Sequence, residues 1–109
     1  MPLPDAIFAG NDLMAIGILR ALREHGIDVP GDVALVGFDD IEGAPFTTPS
    51  LTSVTQPFAG LGETAVERLV ARLDAREAGA ESNSRAASDE VTAPLAPQLV
   101  VRESSVRAS

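Results

Sequence analysis

The sequence predicts an α/β fold built around a parallel βαβ unit, and three observations carry that expectation. Two continuous apolar runs, Asp5 to Asn11 and Val33 to Phe38, read as buried strands. Between them, Leu13 to His25 repeats its apolar residues at helical spacing. The joints are short, and strand, helix and strand so joined make a parallel pair with a right-handed crossover. At 109 residues the chain holds one small domain, and 45% apolar residues supply its core.

Each element has its own local reason. The first run ends in Ala9-Gly10-Asn11, and Asp12 can cap the helix that follows. Gly26 closes that helix as the residue just past its end, and Val29-Pro30-Gly31-Asp32 is a turn. Ile41 to Ser50 is an ordered loop rich in Gly, Pro and Thr. Leu51 to Gln56 is short and extended, stopped by Pro57. Gly60 to Ala78 is a second, one-sided helix with Leu61, Ala65, Val66, Leu69, Val70 and Leu73 on one half of its wheel. Residues 79–90 are polar and read as a mobile loop. Pro97 to Arg102 is a last strand, and residues 103–109 a frayed tail.

The first helix divides its apolar residues between two faces. Met14, Ala15, Ile18, Leu19 and Leu22 form the expected core face. Leu13, Ile16 and Gly17 lie on the other side beside Arg20, Arg23 and Glu24, an apolar patch among charges that suits a partner surface. Scattered surface hydrophobics are the plainer explanation of the same pattern.

Composition removes several function classes. A net charge of -8, with 16 acidic against 8 basic residues, opposes a grip on a phosphate backbone. Without Cys there is no thiolate metal site or nucleophile, and a single His builds neither a His-rich metal site nor a complete Ser-His triad. No metal site, cofactor or catalytic residue is therefore assigned. No apolar run approaches a membrane span and no signal-peptide pattern is visible, so the expectation is a cytoplasmic protein without membrane contact.

What remains is polar chemistry at strand ends, where open α/β sheets bind their ligands. Asn11-Asp12 follows the first strand and Asp39-Asp40 the second. An ionised carboxylate accepts two hydroxyl hydrogen bonds, and Asn both donates and accepts, which suits a sugar. Asp12 and Asp40 can also be simple cap and turn residues, and for Asp12, at a helix start, the cap is the preferred reading. Mg²⁺-dependent phosphoryl chemistry also uses strand-end carboxylates, but it normally adds Lys or Arg. This chain has no Lys, and its Arg residues fall on helices and in the polar tail. Phe58, beside Gln56-Pro57, offers either a ring for the apolar face of a sugar or a staple onto the second helix.

Four stretches taken together, DAIFAGNDLMAIG (5–17), VALVGFDD (33–40), LTSVTQPFAGLG (51–62) and QLVVRESS (98–105), resemble the LacI/GalR family of bacterial transcription repressors. The resemblance covers the C-terminal part of their effector-binding region and nearly all of the chain outside residues 79–90. It implies a fragment of a periplasmic-binding-protein-like (type I), Rossmann-like parallel sheet, with the βαβ unit, a second helix and a terminal strand. It further implies that Asn11, Asp39, Gln56 and Phe58 line the effector cleft. Leu13, Ile16, Gly17 and Arg20 on the first helix, with Ala44, Pro45, Phe46 and Thr47 in the loop, correspond to the family's dimer interface. The partners so implied are a small-molecule effector, a sugar by the chemistry above, a second copy of the chain, and operator DNA reached only through a helix-turn-helix domain outside these residues. Two other readings stand beside this one: a piece of a sugar-binding transport protein of the same fold, and a dimerisation module without ligand binding.

Overall fold

The computed structural model describes residues 2–79 and 95–107. Two compact units emerge, one of Met1–Gln56 with Pro97–Ser109 and the other of Pro57–Ala96.

The first unit is a four-stranded sheet in the order β1 (Ala6–Phe8), β2 (Ala34–Asp39), β3 (Thr52–Thr55), β4 (Gln98–Val100). β1 pairs parallel to β2 with Ile7 opposite Leu35, and β2 pairs parallel to β3 with Asp39 opposite Thr55. β4 runs antiparallel to β3, with Val54 opposite Leu99. The expected βαβ unit is present, and the segment after the loop extends it to three parallel strands. Their carboxyl ends share one edge of the sheet, which places the residues after Phe8, Asp39 and Thr55 together.

Helix α1 (Asp12–Glu24) joins β1 to β2 and packs on one face of the sheet. Ala15 and Leu19 are buried there with Ala9, Val29, Leu35, Ala44 and Leu51, and Ile7, Ile18, Leu22 and Ile41 close over them. Met14, expected in that core, is 58% exposed. It lies nearer the edge of the helical stripe than Ala15 and Leu19 do. The end of α1 follows the expected pattern. Gly26 takes φ +70°, its N–H donates to Arg23 O, and Ile27 N–H donates to Leu22 O, which satisfies the last helical carbonyls. His25 Nδ1 lies 2.8 Å from Ala21 O, a helix-end role.

Residues 103–107 depart from the expected frayed tail. Glu103–Ser105 is a single 3-10 turn, and Ser104 is fully buried. Its hydroxyl donates to Leu35 O at 2.6 Å and accepts from Thr52 N–H at 2.8 Å. Arg107 donates to Pro30 O and Asp5 O, both at 2.9 Å. Polar side chains that reach deep backbone groups hold this segment where apolar residues are few.

The second unit contains α2 (Phe58–Glu77), which begins two residues earlier than the periodicity indicated and has no buried residue. Leu61, Val66, Leu69, Val70 and Leu73 are all exposed along it. The polar stretch 79–90 lies outside the described residues apart from Gly79, which takes φ +86° just past the end of α2.

Candidate functional site

At or just beyond the carboxyl ends of the three parallel strands stand Asn11, Asp39 and Gln56. Asn11 is the N-cap of α1, its Oδ1 accepting from Met14 N–H at 2.8 Å. That corrects the assignment of the cap to Asp12, whose side chain points inward and is fully buried. Asp12 Oδ1 accepts from the Ser53 hydroxyl at 2.6 Å and Oδ2 from Ile41 N–H at 2.8 Å. The carboxylate thus ties α1 to β3 and to the turn after β2, and it is not a ligand-facing group. Gly37 makes room for it, since a Cβ at that position would overlap Asp12 Oδ1 and crowd Leu51.

Asp39 and Gln56 meet, with Gln56 Nε2 donating to Asp39 Oδ1 at 3.2 Å. Both are half-buried at the sheet edge. Asp39 and Asp40 have φ of 104° and 54°, two consecutive non-glycine residues in a region that L-residues seldom occupy. Such a turn swings the chain off the strand and leaves the Asp39 carboxylate at the strand end. Asp40 instead pairs with Arg102, whose Nη1 lies 2.7 Å from Asp40 Oδ1, each side chain being less than one-fifth exposed.

Arg102 is the residue that the sequence reading missed. It stood there only as the last residue of the terminal strand, whereas its guanidinium pairs with the Asp40 carboxylate. It also donates from Nη1 to Leu51 O at 2.8 Å, so Nη1 serves two protein oxygens. The signal available in the sequence was weak: an Arg at the end of a terminal strand becomes informative only once β4 is known to pair with β3.

Phe58 belongs to the second unit, where it is the first residue of α2 and 56% exposed. Among the residues assigned to a partner surface, Leu13 is 71% and Phe46 84% exposed, while Gly17, Arg20 and Pro45 are exposed and Ile16 and Thr47 are half-buried. Arg20 pairs with Glu24 at 3.0 Å, and Thr47 donates to Ala44 O and Pro49 O. Ala44 is fully buried in the chain's own core, so its side chain is not available to a partner. It turns inward because the 3-10 turn Ala44–Phe46 plugs the space beside Leu51, whose N–H donates to Ala44 O.

Among the described residues, no group of three His, Asp or Glu side chains is placed to hold a metal, and no helix is long and apolar enough to cross a membrane. A groove of about 740 Å³ lies at the opposite, amino-terminal ends of the parallel strands, between Pro30, Pro49, Glu103 and Arg107.

A family model described as a periplasmic binding protein-like domain matches residues 1–105. A lactose operon repressor of Rhizobium radiobacter is 51% identical over 74 residues, which cover 68% of this chain and 66% of that protein. Among solved structures, a lac repressor dimer bound to operator and the anti-inducer ONPF superposes with a TM-score of 0.72 at 34% identity, over 96% of this chain and 33% of that one. A LacI-family regulator from Lactobacillus casei with bound sucrose gives 0.69 at 30% identity, over 94% and 34%. The chain thus spans about a third of the length of these solved regulators. The family model and these likenesses agree: the chain belongs to the LacI/GalR family of transcriptional regulators, within their periplasmic-binding-protein-like domain.

Proposed function

We propose that this chain forms one wall of a small-molecule effector site in a LacI/GalR-type transcriptional regulator, and that the effector is a sugar. The observation that carries the reading is the Asp39–Gln56 pair at the carboxyl ends of parallel strands, with Asn11 ending the neighbouring strand. A half-buried carboxylate accepts bonds from adjacent hydroxyls, and the two amides donate to or accept from others. Asn11 Oδ1 is engaged by the cap, so its contribution is the amide N–H₂. Phe58, exposed at the start of α2, offers a ring of the kind that stacks on the apolar face of a sugar. The sucrose-bound regulator and the lactose operon repressor support this chemistry.

The same reading assigns the outward face of α1 (Leu13, Ile16, Gly17, Arg20) and the loop Pro45-Phe46-Thr47 to a homodimer, in a cytoplasmic protein without catalytic activity. The acidic chain leaves operator contact to a separate helix-turn-helix domain. Effector binding then biases two arrangements of the sensor, and the dimer passes that bias to DNA.

Isothermal titration against lactose, ribose, sucrose and glucose tests the proposal. Heat with one of them that Asp39→Ala abolishes is the expected result. Heat that survives Asp39→Ala, or none with any of the four, overturns it.

A further inference from the structure

The turn that carries Asp39 is held by polar side chains from three separate elements, and their arrangement has a consequence for the site. Asp39 and Asp40 both lie in the left-handed region, at φ 104° and 54°. For residues with a Cβ, two such conformations in succession persist only where the surroundings over-determine them. The surroundings here are specific. Asp40 N–H donates to Ser53 Oγ at 2.9 Å, and Ile41 N–H donates to Asp12 Oδ2 at 2.8 Å. The Ser53 hydroxyl in turn donates to Asp12 Oδ1 at 2.6 Å, so one buried carboxylate anchors both amides. From the opposite side, Arg102 Nη1 grips Asp40 Oδ1 at 2.7 Å.

Arg102 is itself fixed. Its N–H donates to Thr52 Oγ1 at 2.8 Å, Thr52 Oγ1 lies 3.0 Å from Arg102 O, and Nη1 also reaches Leu51 O at 2.8 Å. Asp39, by contrast, receives a long 3.2 Å bond from Gln56, so the direction of its carboxylate is set through the backbone of the turn.

We propose that Arg102, Ser53 and Asp12 are positioning residues that hold the Asp39–Ile41 turn left-handed and so aim the Asp39 carboxylate at its ligand. The proposal rests on the reading of Asp39 as a sugar-binding group, and its test separates the two. None of the three touches the ligand. They act through two amides and one carboxylate, and they come from α1, from β3 and from the segment after β4.

The test is amide hydrogen exchange by NMR on the full chain, with Arg102→Ala, Arg102→Lys and Ser104→Ala. Ser104→Ala removes bonds to Leu35 O and Thr52 N–H and loosens the sheet without touching the turn. Arg102→Ala is expected to speed exchange of the Asp40 and Ile41 amides about tenfold, the size of one lost charge-assisted bond, with the β2–β3 ladder amides changed less. Arg102→Lys restores part of that protection. Ser104→Ala speeds the ladder amides at least as much as the turn.

In the titrations, Arg102→Ala weakens the sugar that binds the wild type about tenfold, and Arg102→Lys recovers part of the loss. Uniform acceleration across the sheet in Arg102→Ala, or unchanged turn amides, overturns the proposal. So does the same pattern in Ser104→Ala. If Arg102→Ala does not fold, Arg102→Lys decides: turn-selective acceleration supports the clamp, and a uniform change sinks it. If no sugar binds the wild type, the effector reading fails, and the exchange data still decide whether these residues set the Asp39 turn.

Discussion

Asp12 and Gly37 do structural work, while Asp39 is the position proposed to face a ligand. Asp12 turns into the core and Asp39 stays at the strand end, although Asp12 follows the short link after β1 and Asp39 closes β2. Gly37 is required because the Asp12 carboxylate occupies the space of a side chain. Gly37→Ala is therefore expected to lower stability by about 1–3 kcal/mol, the usual cost of overpacking. An unshifted urea midpoint would show that the carboxylate can move aside. Asp39 behaves the opposite way. Its φ of 104° is one that glycine adopts freely, so Asp39→Gly leaves the unfolding midpoint unchanged or raised while abolishing sugar heat. A large drop in midpoint would assign Asp39 to the structure instead of the ligand.

At the scale of elements, the most informative departure is the segment after β4. Ser104 is the hinge of its anchoring, and Ser104→Ala removes two buried bonds at a cost of about 1–3 kcal/mol by chemical denaturation. Loss of only a few tenths would mean that the segment docks by other contacts. Glu103 adds a pH signature. The Ser50 backbone N–H, and then the Ser50 hydroxyl, hold its carboxyl below the usual carboxylate range. A depressed folded value means that this contact stabilises above the ordinary pKa and is lost as pH falls through the folded value. Glu103→Gln should flatten that acid limb of the stability profile, and an unchanged limb would contradict the contact.

The strands, α1 and its glycine stop were legible because apolar periodicity and end residues are local signals. The tail was not, because its anchors join Ser104 to Thr52, 52 residues away, through hydroxyls that look like surface residues in sequence. The start of α2 was also missed, since Gly60 and Gly62 obscured a helix that Pro57 already permits at Phe58. Of the candidate site, Asn11 and Asp39 stood out from their places at strand ends, and Gln56 from the family resemblance alone. Arg102 and the inward turn of Asp12 needed the pairing of β3 with β4 and the packing of α1.

For the molecule as a whole, the division into two units leaves different tasks to different surfaces. The strand-end edge of the first unit carries the polar site. The outward face of α1 and the exposed Phe46 carry the assigned dimer surface. Ile16→Glu places a charge in that patch and is expected to convert a dimer to a monomer in sedimentation equilibrium. An unchanged mass would remove α1 from the interface. The most direct check on the central claim is a two-dimensional ¹H–¹⁵N titration of the labelled chain with the same four sugars. Shifts confined to the Asn11 and Gln56 amides and the Asp39–Ile41 turn are the predicted result for the sugar that binds. Shifts at the opposite ends of the strands, around Pro30, Pro49 and Glu103, or none anywhere, would contradict a sugar site built on Asp39.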